Sequence, residues 1–96
     1  MSESTLSRTV TIQNEQGLHA RPADLFVRTA SQFKSTVEVV KGSLRVDGKS
    51  ILDVLTLGAT QNTELTIEAT GSDAQAVLDA LAELVESKFT EPEKVE

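Results

Sequence analysis

The chain has 96 residues, no cysteine and a formal net charge of −6. That length suits one small domain with a modest core, the lack of thiols excludes disulfides and thiolate chemistry, and an acidic chain whose aromatics are three phenylalanines is not built for DNA or RNA. No apolar run approaches the ~18 residues that span a bilayer, and Met1-Ser2-Glu3-Ser4-Thr5 has neither the basic start nor the apolar stretch of a signal peptide. A cytoplasmic protein with no membrane insertion is expected.

In chain order, Leu6, Val10 and Ile12 alternate with Thr9 and Thr11, the period of a strand with one buried face. Asn14-Glu15-Gln16-Gly17 is polar and ends in glycine, a turn signal. Ala23, Phe26, Val27 and Ala30 then recur at i, i+3, i+4 and i+7, so a helix follows and ends before Thr36. Thr36–Val40 and Leu44-Arg45-Val46 read as strands joined by a turn at Lys41-Gly42-Ser43, and Asp47-Gly48 is a strong turn dipeptide. Ser50 opens a short helix rich in apolar residues. Leu55 and a neighbour or two belong to its core side, Ile51 and Leu52 are candidates for exposure, and Gly58 ends it. Thr63–Ala69 alternates as a fourth strand. Ser72 and Gln75 are spaced as a capping box for a last helix, with a stripe of Ala74, Val77, Leu78, Leu81, Leu84, Val85 and Phe89. The order βαββαβα predicts an α+β domain: a four-stranded antiparallel sheet, wet on one face and covered on the other by three helices. One domain over residues 1–96 is expected, with a core at about 6–89 and a flexible acidic tail at 90–96.

The sole histidine, His19, falls between the turn and the first helix. There the leading backbone N–H groups lack partners and the helix dipole is positive, a setting that receives anions. Neutral imidazole is nucleophilic near pH 7 and forms covalent intermediates; a phosphoryl group on its ring is readily passed on. Arg21 adds a guanidinium suited to phosphate oxygens. Pro22 is tolerated in a first turn but biases Arg21 away from helical dihedrals, so a distorted first turn is expected. On position alone, a lone histidine at a helix start is most often a polar cap or surface residue. One histidine without cysteine lacks a metal-ligand cluster, and no partner for a catalytic triad is identifiable. Neither metal nor cofactor is expected.

Gly17-Leu18-His19-Ala20-Arg21-Pro22-Ala23 resembles the active-site motif of HPr, the histidine-containing phosphocarrier family of the bacterial sugar phosphotransferase system. Gly48-Lys49-Ser50-Ile51-Leu52-Asp53-Val54-Leu55-Thr56-Leu57-Gly58 resembles the family's second signature, and the likeness runs from about Leu6 to Phe89. The resemblance implies an open-faced β-sandwich in which His19 takes a phosphoryl group from Enzyme I and passes it to IIA domains of sugar permeases, with Arg21 stabilising the phosphate. The carrier would then be a phosphoprotein with a phosphohistidine intermediate rather than a stand-alone enzyme, and a monomer.

Ser50 has a simple role as helix cap, with Asp53 in the reciprocal position of a capping box. The resemblance adds phosphorylation of Ser50 by an HPr kinase/phosphorylase that regulates carbon use. Asp53 departs from the family pattern, where Gly or Lys is common, and would repel a phosphate on Ser50. The resemblance also implies a docking surface at Ala20, Asp24, Arg28, Lys49, Ile51, Leu52 and Leu55, apolar with a polar rim. Three rivals remain at this point, one of them a pure interaction module, which would leave His19 without a purpose. A regulatory paralogue would serve a nitrogen-type branch or act as a Ser50 switch. A small enzyme such as an acylphosphatase would want an Arg and Asn around a phosphate loop, which the His19 motif does not resemble.

Overall fold

The computed structural model describes residues 4–89. The elements follow as β1 (Thr5–Thr11), α1 (Ala20–Ala30), β2 (Thr36–Lys41), β3 (Leu44–Asp47), α2 (Ile51–Thr56), β4 (Glu64–Thr70) and α3 (Ala74–Glu86). The predicted order and antiparallel sheet hold, with boundaries moved by up to three residues: α3 ends at Glu86, so Phe89, expected on its stripe, is buried in the turn that follows the helix. The acidic tail at 90–96 lies outside the described residues.

The strands are ordered β1-β4-β2-β3, and every neighbouring pair is antiparallel. The register carries the core. Leu6 faces Ala69, which faces Val37, and Ile67 faces Val39, which faces Val46. Directly opposed residues share a face, so Val10, Val37, Val39, Val46, Leu65, Ile67 and Ala69 form one buried layer. Onto it pack Ala23, Phe26 and Ala30 of α1 and Ala74, Val77, Leu78, Leu81, Ala82 and Val85 of α3. The other face carries Thr9, Thr66, Glu38, Glu68 and Arg45, with the Arg45 guanidinium against both glutamates. Arg8 shares the helix-covered face at the β1 edge and reaches Asp79 and Glu86 of α3 at 3.3 and 3.6 Å.

Three local expectations are corrected. In the α2 segment Val54 and the C-cap Leu57 are fully buried, whereas Leu55 is half-buried and packs against the core. A six-residue helix has one narrow inward stripe, and its rotation is set by α1 and β3 rather than by its own composition. Ser50 does cap α2, accepting from the Asp53 N–H at 3.3 Å, but the box is not reciprocal. The Asp53 carboxylate accepts from the Asp47 N–H at 3.2 Å, so it braces the turn before the helix.

The predicted Ser72–Gln75 box at α3 is absent as well. The N-cap is Asp73, whose side chain does not cap its own helix. Its carboxylate accepts from the Lys34 N–H and the Ser35 N–H, each at 2.9 Å, and from the Ser35 hydroxyl. Gln75 turns to Asp79 instead. A buried hydroxyl and two loop N–H groups need an acceptor more than an exposed helix end does. These bonds, the Ser35 hydroxyl first, hold the Asp73 carboxyl at about 2, against an ordinary 3.8. A depressed carboxyl contributes stability that is whole above its ordinary value and is lost as pH falls toward the folded one. Asp73→Asn is therefore expected to lower the melting temperature at pH 7 and to flatten the fall of stability between about pH 4 and pH 2. Urea unfolding across that pH range checks this; an unchanged slope would remove Asp73 from the acid response.

Candidate functional site

The loop before α1 is built to present one side chain. The Gly17 N–H donates to Asn14 O at 3.1 Å, and the Asn14 amide donates back to Gly17 O at 2.7 Å. Gly17 has φ +71, and a Cβ there would lie 2.4 Å from Ala59 O. Only glycine tolerates both the left-handed backbone and so close a neighbouring chain. The Leu18 N–H then donates to Ala59 O at 2.8 Å while its side chain enters the core. With Leu18 anchored, His19 is the first residue to emerge.

His19 is the N-cap of α1, with extended backbone at φ −90 and ψ −164. Its carbonyl accepts the first helical bond, from the Ala23 N–H at 2.9 Å. An N-cap residue ordinarily turns its side chain onto the first-turn N–H groups. Here the imidazole makes no capping bond and is exposed. The capping explanation of His19 is thus not the one observed. The first turn of α1 holds no acidic residue, so its positive end is not neutralised from within. Pro22, buried at the third helical position, takes a place where an N–H has no helical acceptor anyway.

Arg21 is exposed and lies at the second position of α1, directly before Pro22. His19, Arg21 and Pro22 line one open depression of about 550 Å³, together with Gln13, Asn14, Glu15, Gln16, Gln61, Lys88 and Phe89. Gln61 ties the two loops of this region, donating to Gln13 O at 3.0 Å. Gln61 and Lys88 belong to segments remote in sequence from the histidine motif, and no local pattern marks them.

The remaining candidate residues lie on α1, α2 and the turn before α2. Ala20 is exposed, Asp24 is half-buried, and Arg28 pairs with Asp24 at 2.9 Å, so the two charges offset each other. The Lys49 ammonium donates to Phe33 O at 2.7 Å, which holds the turn before α2 against the end of α1. Leu52 is 73% exposed. Ile51 and Leu55 are half-buried and pack on the core beneath it. These three do not line the His19 depression; they present a separate apolar spot on α2, which packs against α1.

Comparison with known proteins agrees with this geometry. Residues 6–87 match the protein-family model described as "PTS HPr component phosphorylation site". The chain is 42% identical over 88 residues to phosphocarrier protein HPr of Neisseria meningitidis serogroup A, covering 92% of this chain and 99% of the relative. It is 40% identical over 86 residues to phosphocarrier protein NPr of Shewanella violacea, covering 90% and 94%. Among solved structures it is similar to an HPr from Thermoanaerobacter tengcongensis, with TM-score 0.86, 44% identity and 91% of this chain covered against 98% of that one. An HPr dimer from the same organism matches with TM-score 0.73 and 45% identity, over 85% and 94% of the two chains. The sheet order, the exposed histidine at the start of α1 and the family match over nearly the whole described chain converge: the chain belongs to the HPr family of phosphocarrier proteins.

Proposed function

We propose that this protein carries phosphoryl groups on His19, between Enzyme I charged from phosphoenolpyruvate and the IIA domains of sugar permeases. The observation that carries the reading is His19 itself, an exposed N-cap imidazole that does no capping, at a helix start with no carboxylate in its first turn. A ring nitrogen attacks phosphorus; the P–N bond forms as the bond to the donor breaks, and that bond's electron pair returns to the donor. The new oxyanions face the positive end of α1 and the Arg21 guanidinium, which offset their charge. Transfer of this kind is mostly positioning and charge stabilisation. The reverse arrangement delivers the group to a IIA domain. The test is phosphorylation by Enzyme I and phosphoenolpyruvate with His19→Ala as the comparison. A single cytoplasmic monomer fits the role, its docking surface made of Ala20, Asp24, Arg28, Lys49, Ile51, Leu52 and Leu55; sedimentation at working concentration distinguishes it from a dimer.

Ser50 carries two roles in this reading. It caps α2, and it is the site for an HPr kinase/phosphorylase. Ser50→Ala is expected to cost about 1 kcal/mol through the lost cap, read by urea unfolding. Ser50→Asp retains an acceptor for the first-turn N–H groups, so its fold and stability stay near wild type. Its added charge lies beside Ile51 and Leu52, so phosphorylation of His19 by Enzyme I is expected to slow through weaker partner affinity. Equal phosphorylation kinetics for Ser50→Asp and wild type would leave this serine a cap alone.

A further inference from the structure

The end of α3 is closed in a way its sequence does not favour. The Lys88 N–H donates to Val85 O and the Phe89 N–H to Leu84 O, both at 2.9 Å. With Ser87 as C-cap, this is the paired bond pattern of a Schellman motif, in which the residue after the cap is ordinarily glycine. Here that residue is a lysine at φ +61, followed by Phe89 at φ +60. Left-handed backbone disfavours any residue with a Cβ, and adopting it twice in succession needs a compensating contact. Phe89 supplies one, being 6% exposed and packed into the core cluster. The anchor fixes where Lys88 stands, and Lys88 lines the same depression as His19 and Arg21. Among the described residues, no carboxylate forms an ion pair with Lys88. Among the described residues that line the depression, Lys88 adds a second basic side chain from a different segment than Arg21.

We propose that Lys88 is a second cationic contact for the phosphoryl group on His19, held at the site by the Phe89-anchored turn after α3. The assignment rests on His19 as phosphoacceptor. Arg21 approaches from the helix that carries the histidine, and Lys88 from the end of α3, so the anion is met from two directions. A lysine acts as a point charge on a flexible stem and places no directional demand on the oxygens. That suits a group that must arrive and leave.

The test uses the full chain with Lys88→Arg, Lys88→Gln and Lys88→Gly. Glycine is the residue the turn favours, so Lys88→Gly is expected to fold with an equal or higher melting temperature. In Lys88→Gln and Lys88→Gly, kcat/KM for phosphorylation by limiting Enzyme I is expected to fall about three- to ten-fold, with Lys88→Arg close to wild type. A second readout is independent of any partner. In a 31P NMR titration of the phosphorylated proteins, the phosphoryl group should keep its last proton to higher pH in the Gln and Gly variants, because a nearby cation favours the dianion. A wild-type titration curve in both variants overturns the contact, and it does so even if transfer slows, since the lysine would then be acting on the partner. If wild-type protein takes up no phosphoryl group, the phosphoacceptor reading itself has failed.

Discussion

His19→Ala is expected to take up no phosphoryl group from Enzyme I and phosphoenolpyruvate while keeping the wild-type fold. The chain has no second histidine to substitute for it. The fold should survive because the side chain is exposed and makes no capping bond, so its removal changes neither the core nor the helix start. Surface substitutions of this kind usually stay within about 0.5 kcal/mol. The loss of function is complete rather than graded, because the imidazole is the atom-donating group of the bond that forms and not an auxiliary contact. Intact mass after incubation gives the yield, and a melting curve of the same sample reports the fold. The wild-type adduct should be a phosphoramidate, lost in acid and kept in alkali. An adduct with the opposite stability would be a hydroxyl ester and would place the chemistry on a serine or threonine, as would full labelling of His19→Ala.

Gly17→Ala is expected to be the most damaging single methyl group in the loop that presents His19. Two separate costs meet there. The backbone is left-handed at φ +71, and the new Cβ would lie 2.4 Å from Ala59 O and 2.9 Å from Thr60 Cα. Both neighbours are backbone, so no side-chain rotation relieves the contact, and the loop has to move. Gly42 separates the terms: it has φ +58, and a Cβ there meets nothing within 4 Å. Gly42→Ala should cost about 1 kcal/mol, the conformational term alone. Gly17→Ala should cost at least about 2 kcal/mol more, the size expected of strain with overpacking. Moving the Gly17–Leu18 segment also displaces His19, so the phosphorylation rate should fall in protein that remains folded. Paired urea unfolding curves and initial rates measure both effects. Equal costs for the two variants would mean that the contact with the 59–60 backbone relaxes without penalty.

The core strands and α1 were legible because their signals are local. Val10 in β1 and Ile12 just beyond it, and Leu65, Ile67 and Ala69 in β4, repeat with the period of the pleat, and each is buried. His19 was legible for a similar reason: turn chemistry at Asn14–Gly17 and helical spacing from Ala23 onward leave it no place except the helix start. Errors arose where several partners competed for one polar group. Asp53 satisfies the Asp47 N–H instead of closing a box with Ser50, and Asp73 serves Ser35 and Lys34 instead of its own helix. Capping preferences rank what a side chain does when it has only its own helix to serve, and neither carboxylate is in that situation.

Periodicity, turn residues and the position of one histidine were thus determined by the sequence alone, since they depend on dihedral preferences and on neighbours a few residues away. Everything that depends on strand order was decided by the tertiary structure. Placing β4 between β1 and β2 sets the 59–63 loop against the 12–18 segment, where the Ile12 N–H meets Thr63 O and the Leu18 N–H meets Ala59 O. That pairing is why Gly17 must be glycine and why Gln61 reaches the site. Packing α3 across β1 carries Arg8 to Asp79 and brings Lys88 to a depression whose histidine lies 69 positions earlier in the chain (88 − 19). No spacing rule encodes such a meeting, because it depends on two elements docking on one sheet at a fixed register, and that register is chosen by the burial of the whole face.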